Sequence, residues 1–249
     1  MRVPLIRTLL RLFTVQGSWN YERMLGVGFG VAEEPLLRDL AGARSREAGS
    51  AYRGAVARGA HFFNAHPYLC GLAVGATARA EHDGVLPAQI ERLRTALCGP
   101  LGSLGDTLVW AGWLPFTSGV ALAAVALGFG WWAVVGFLVV YNAGHIALRC
   151  WALRAGWAHG MNVATALRHP ALQRSGAVVA PAMALAMGAA LPLVAGYLGG
   201  PFTPSLRLAF AVAVGSGILL LRWRWLRLTG VRLGLTFVAL GLVAGWLWR

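Results

Sequence analysis

Residues 107–148 read TLVWAGWLPFTSGVALAAVALGFGWWAVVGFLVVYNAGHIAL, 42 consecutive positions without Asp, Glu, Lys or Arg. As helix, this length reaches about 63 Å at ~1.5 Å per residue, roughly twice the hydrocarbon thickness of a bilayer. GFGWW at 128–132 divides the run. Glycines permit a tight reversal there, and tryptophans favour the water–lipid interface. The stretch therefore predicts a helical hairpin that crosses a membrane twice. Working outward, Ser175–Leu206 is a third uncharged run ending in the breaker GGPFTPS, and Leu208–Leu221 and Leu233–Trp248 are shorter runs flanked by Arg207, Arg222, Arg232 and Arg249. Arginines so placed reach the interface along their own aliphatic stems. The expected fold class is an all-α integral membrane protein, with about five transmembrane helices after residue 106.

Composition points the same way. The chain is 57% hydrophobic and only 12% charged, with a mean hydropathy of +0.61, whereas an ordinary soluble domain carries about 25% charged residues. Charge is also segregated: residues 1–106 hold twelve arginines and nine acids, and residues 107–249 hold ten arginines and no acid. Two regions follow, 1–106 and 107–249. The net charge of +13 comes from arginine alone. These arginines lie between apolar runs, where anionic headgroups meet them, so the charge points to a phospholipid membrane and away from nucleic acid. Cys70, Cys98 and Cys150 are odd in number and widely spaced, which predicts free thiols rather than a disulfide framework or a zinc site.

At the N-terminus, Arg7 and Arg11 interrupt what would be the apolar core of a cleavable signal. At 100° per residue, Leu5, Ile6, Leu9, Leu10, Leu12 and Phe13 share one arc with the arginines opposite. Residues 3–14 thus form an amphipathic helix, suited either to a membrane surface or to packing on the rest of the protein. Arginine placement sets the orientation. The segments 149–174 and 222–232 each carry four arginines, while the turns at 127–130 and 199–205 carry none, which puts the N-terminus in the cytoplasm and the C-terminus outside. Before residue 107 no run is long enough to span. Tyr68–Ala78 has eleven apolar residues, a re-entrant or buried half-helix, and CGPLGSLGD at 98–106 has the glycines and proline of a hairpin tip.

Three polar clusters stand out against this background: QGSWNYERM at 16–24, HFFNAHP at 61–67 and GPLGSLGD at 99–106. Amides and carboxylates beside aromatic faces suit a sugar, whose hydroxyls need donors and acceptors while its C–H face packs on a ring. Asn64, two residues before His66-Pro67, equally fits a chain end satisfied by local hydrogen bonds. In this order and spacing the clusters resemble the IID subunit of the mannose/fructose/sorbose family of the sugar phosphotransferase system. That family shows QGSWN(F/Y)ERM, then a basic helix ending in HLxFFNT(Q/H)P, then GPLAGxGD; here the matching segments read QGSWNYERMLGVGF, RGAHFFNAHP and CGPLGSLGDTLVW. The resemblance is specific over residues 13–113 and compositional beyond. Ala65 replaces the family's threonine, Ser103 and Thr107 alter the glycine hairpin, and Glu81 stands alone where a glutamate pair is expected. These departures leave the sugar preference open.

The resemblance implies a subunit of the bacterial cytoplasmic membrane that pairs with a IIC subunit, in a higher oligomer of such pairs, to move a hexose or amino-hexose. Cytoplasmic IIA and IIB partners would carry the phosphoryl group, so no catalytic residue, metal or cofactor is implied for this chain. Gln16, Asn20, Glu22, Asn64 and Asp106 would hold sugar hydroxyls, Trp19 would stack on the ring, and Ser18 would cap a helix or assist. Two other readings stay open. One is an orphan sensory or scaffold subunit. The other is an intramembrane CAAX-type protease, since EEPLLR at 33–38 fits EExxxR and FFNAH at 62–66 fits FxxxH.

Overall fold

The computed structural model describes residues 3–41 and 46–199. The described residues up to Val194 form one compact unit. Its first helix, α1 (Val3–Leu12), turns Leu5, Leu9 and Leu12 into the core and leaves Ile6, Leu10 and Phe13 exposed. One side of the apolar arc is therefore packed on the rest of the protein and the other is exposed. Arg11 fastens α1 to α2 (Gly26–Ala41) by donating to Glu34 Oε2 at 2.7 Å and to the Val31 carbonyl at 2.8 Å. Next comes α3 (Arg46–Gly59), which is tied to α4 (Cys70–His82) by the Arg58–Glu81 ion pair at 2.6 Å.

Helix α4 is the centre of the unit, with Cys70 to Ala78 and Ala80 all buried. It packs lengthwise on α7 (Trp131–His159) through small residues. A Cβ on Gly75 would lie 2.6 Å from the Leu153 carbonyl oxygen, and one on Gly156 would overlap the Leu72 carbonyl. Gly71 and Gly75 are four residues apart, so both fall on the face that meets α7, and close backbone approach of this kind is how helices associate where apolar burial against lipid gains little.

From Pro87 the chain runs through α5 (Pro87–Gly105), a π-helical stretch (Asp106–Trp113), α6 (Leu114–Ala124) and a second π turn (Val125–Phe129), with helical backbone unbroken as far as residue 127. The chain reverses at Gly128 and Gly130, with φ of 93° and 56°, where the hairpin turn was expected. Trp131 and Trp132 stack there at 3.8 Å and are exposed. After α7 come a short 3₁₀ turn (Gly160–Asn162), α8 (Ala164–Leu167) and α9 (Pro170–Gly199). Among the described residues, three stretches are long and apolar enough to cross a membrane: Pro87–Phe129, Trp131–Asn162 and Val178–Leu198. The two further spans expected at 208–221 and 233–248 lie outside the described residues.

One local expectation is corrected. CGPLGSLGD at 98–106 is not a hairpin tip but the C-terminal half of α5, and the reversal between α4 and α5 falls at Asp83–Leu86, where Gly84 has φ of 70°. Gly105 serves contact rather than a turn: a Cβ there would overlap the His66 side chain. Asp106 accordingly sits inside a continuous helical run.

Between α2 and α4 the Glu33 carboxyl is buried, accepting a hydrogen bond from the Thr77 hydroxyl. Burial raises its pKa from 4.5 to about 7, against the lowering effects of Thr77 and then Arg94. Between those two pH values the folded protein holds a proton that the unfolded chain has lost, so stability should fall as pH rises and flatten above about 7. The full loss is about 3 kcal/mol. Thermal unfolding of the protein and of Glu33→Gln, which mimics the neutral acid, in detergent at pH 5 and pH 8 checks this: whatever other groups titrate, the variant should gain stability relative to the parent as pH rises.

Candidate functional site

The first two motifs meet through their backbones. Residues 13–25 form a compact turn in which Asn20 organises the chain: its Nδ2 donates to the Ser18 carbonyl, and its Oδ1 accepts from the Glu22 and Arg23 amides at 3.1 and 2.8 Å. Met24 follows with φ of 51°, a left-handed conformation rare for a side chain of this size. The turn then pairs with the second motif. The Leu25 amide donates to the Phe63 carbonyl at 2.9 Å and the Phe63 amide to the Arg23 carbonyl at 3.3 Å, bringing Met24 alongside Phe63.

The second and third motifs meet through side chains. A cleft of about 500 Å³ opens between the 61–67 loop and the helix from α5 into the π stretch. Phe62, Asn64 and His66 line it from the loop, and Ser103, Asp106 and Trp110 from the helix. Gly99 and Gly102 leave the helical wall open, since nothing stands within 4 Å of where their Cβ atoms would be. A π-helix widens the backbone ring and recurs at functional sites; this one begins at Asp106. Phe62 and Trp110 are about half exposed at the rim. A second cavity of about 270 Å³, beside Tyr68, Trp113 and His145, has walls too apolar to meet several hydroxyls.

His66 has a defined protonation state. Its Nδ1 accepts from the Tyr68 amide at 3.2 Å, so the proton resides on Nε2, which is buried and has no hydrogen-bond partner among the described residues. Burial, and then the Arg149 charge, lower its pKa to about 4. The ring stays neutral near pH 7 and offers an N–H. Tyr68 and Trp110 pack edge-on to it at 5.0 and 4.9 Å.

Of the residues expected to hold sugar, Asn64 and Asp106 share this cleft. Gln16, Ser18, Trp19, Asn20 and Glu22 lie on the 13–25 turn and do not line it. Trp19 packs edge-on to Tyr21 at 4.8 Å, and both rings are exposed. His66, Ser103 and Trp110 are cleft residues that motif reading passed over. Helical phase could have found the last two, because 99, 102, 103, 106 and 110 fall on one face once the stretch is taken as helix. The EExxxR reading finds its carboxylates engaged elsewhere, Glu33 with Thr77 and Glu34 with Arg11, Arg38 and Tyr52. The Arg38 hydrogen bond foremost, then Arg11 and Tyr52, hold Glu34 well below the usual carboxylate range.

The model of the PTS system mannose/fructose/sorbose family IID component matches residues 2–197. The chain belongs to this family. A sorbose-specific EIID component of Klebsiella pneumoniae is 29% identical over 175 residues, which are 68% of this chain and 62% of that protein. A mannose-specific EIID component of Escherichia coli K12 is 28% identical over 163 residues, 62% of this chain and 54% of the relative. This IID chain thus aligns with less than two thirds of these relatives' length. Among solved structures, one described as a membrane protein is similar at a TM-score of 0.65 and 22% identity, covering 99% of this chain and 96% of the other. A chain of a mannose transporter ManYZ complex with microcin E492 is similar at a TM-score of 0.54 and 21% identity, with the same coverage. These likenesses show the fold: this IID component is an all-α membrane protein.

Proposed function

We propose that this IID component pairs with a IIC membrane subunit, in a higher oligomer of such pairs, to bind and translocate a hexose or amino-hexose across the bacterial inner membrane. A cytoplasmic IIB partner, supplied by IIA, phosphorylates the sugar. The chain itself forms no phosphoryl intermediate. The observation that carries this reading is the meeting of Asn64 and Asp106, 42 positions apart in sequence, in one polar cleft with an aromatic rim. The Asn64 amide on the loop wall and, on the helical wall, the Asp106 carboxylate beside the half-exposed Trp110 ring meet the two chemistries of a sugar. The relatives named for mannose and sorbose and the ManYZ fold neighbour support the same assignment. Residues of the 13–25 turn, Gln16, Ser18, Trp19, Asn20 and Glu22, contribute from the neighbouring surface.

Co-expression with the cognate IIC, followed by reconstitution with IIA and IIB, tests the proposal. Labelled mannose, fructose, sorbose and glucosamine should show uptake and phosphorylation of at least one sugar, dependent on this chain. A stable complex that moves none of them would favour a scaffold or sensor instead. Orientation follows from the arginine distribution: tags at residues 1 and 160 should be protected in intact cells, and a tag after Arg249 should be accessible. An accessible tag at 160 would overturn the orientation.

A further inference from the structure

Two arginines are buried without an ion pair among the described residues, Arg94 at 3% and Arg149 at 4% exposure. A buried charge is costly unless its donors are met. Both guanidinium groups donate to carbonyls of the same loop, although Arg149 Nε is buried without a hydrogen-bond partner among the described residues. From α5, Arg94 donates to the Gly59 and His61 carbonyls at 3.0 and 2.9 Å. From α7, Arg149 donates to the Pro67 carbonyl at 3.3 Å and to the Leu12 carbonyl at the end of α1. Each also lies over two aromatic rings: Arg94 over Phe29 and Phe63, at 4.2 and 5.5 Å, and Arg149 over Tyr68 and Phe13, at 4.6 and 5.1 Å. The segment between these attachments carries Asn64 and His66. The Asn64 side chain makes no hydrogen bond of its own among the described residues, so its place in the cleft is set by the backbone on either side.

We propose that Arg94 and Arg149 are positioning residues for the cleft: gripping the Gly59–Pro67 loop at its two ends, they set Asn64 and His66 against the wall formed by Ser103, Asp106 and Trp110. Arginine suits the task because its planar group reaches two carbonyls, through Nη1 and Nη2 in Arg94 and through Nη1 alone in Arg149, while its face stacks on a ring. Lysine keeps the charge and loses both. The transport consequence rests on the sugar-cleft reading above, whereas the loop's attachment does not.

The test uses the full chain in detergent, with a nitroxide on Asn64→Cys in a background of Cys70→Ala, Cys98→Ser and Cys150→Ser. The label should give an immobilised spectrum, and Arg94→Lys or Arg149→Lys should each abolish the immobilised component. In the reconstituted complex the same lysine variants, with Asn64 intact, should raise KM with little change in kcat. Adding Asn64→Ala to either should then cost no more than about twofold, because the amide is already displaced. An unchanged spectrum, or a full additional loss on adding Asn64→Ala, overturns the proposal. Should neither lysine variant fold, Phe13→Leu removes one ring beneath Arg149 at a half-exposed position, and a label that remains fully immobilised there is the overturning result. Mobilised labels in a complex that moves no sugar would uphold the clamp and sink the transport reading.

Discussion

Gly156→Leu should leave no folded protein in detergent. A Cβ alone at position 156 overlaps the Leu72 carbonyl of α4, and that carbonyl belongs to helix backbone that cannot move by itself. Accommodating three further carbons means separating α4 from α7 along the contact that also holds Gly75 against Leu153 and Trp157. Overpacking of this kind costs about 3 kcal/mol or more, a large part of the ~5–15 kcal/mol that holds a typical domain together. Size-exclusion profile and thermal unfolding report it. Gly188→Leu in α9, where nothing stands within 4 Å of the added carbon, should be tolerated. If Gly156→Leu elutes and melts like the parent, the glycine contact is not what joins the two helices.

That contact shows where the sequence was legible and where it was not. The hairpin at 128–132 was readable because two glycines and two interfacial tryptophans interrupt an otherwise unbroken apolar run, a signal that needs no tertiary knowledge. CGPLGSLGD defeated the same logic. Its residues also suit a turn, but Gly105 is small because His66 presses on it, and Pro100 lies inside α5. Local propensity cannot distinguish a glycine that bends from one that makes room.

Arg149 has a role that its place in the sequence does not show, for a related reason. At the edge of an uncharged run it counts as one more cytoplasmic arginine, yet it is buried within α7 and bonds to carbonyls 82 and 137 positions away in sequence. The cleft was half legible. Asn64 and Asp106 were found because each is a polar residue of a motif, while Ser103 and Trp110, in the same segment as Asp106, stay unassigned when that stretch is read as a turn rather than a helix. For Asn20 the expected ligand role has a competing use in view, since its amide organises the 13–25 turn.

Asn64 and Asp106 are expected to separate binding from assembly. Both are exposed within the cleft, and Asn64 carries no hydrogen bond to the protein that its loss would break. Asn64→Ala and Asp106→Asn should therefore leave melting temperature and association with IIC unchanged. Each should leave sugar hydroxyls without a partner in a partly desolvated cleft, a loss of about 1–3 kcal/mol, or roughly 5- to 150-fold in affinity. The carboxylate should stand at the upper end, because hydrogen bonds to a charged acceptor are the stronger ones. Asn20→Ala provides the contrast: removing the side chain that accepts from two backbone amides should lower the melting temperature by an amount corresponding to about 1 kcal/mol, with sugar affinity following only as the turn loosens. Arg53→Ala, exposed on α3, is the neutral control. Isothermal titration of the purified complex with its sugar, run beside thermal unfolding, reads both quantities. Normal sugar affinity in Asn64→Ala and Asp106→Asn would remove the cleft from the substrate path, and a weakened affinity in Asn20→Ala at unchanged stability would move the site towards the 13–25 turn.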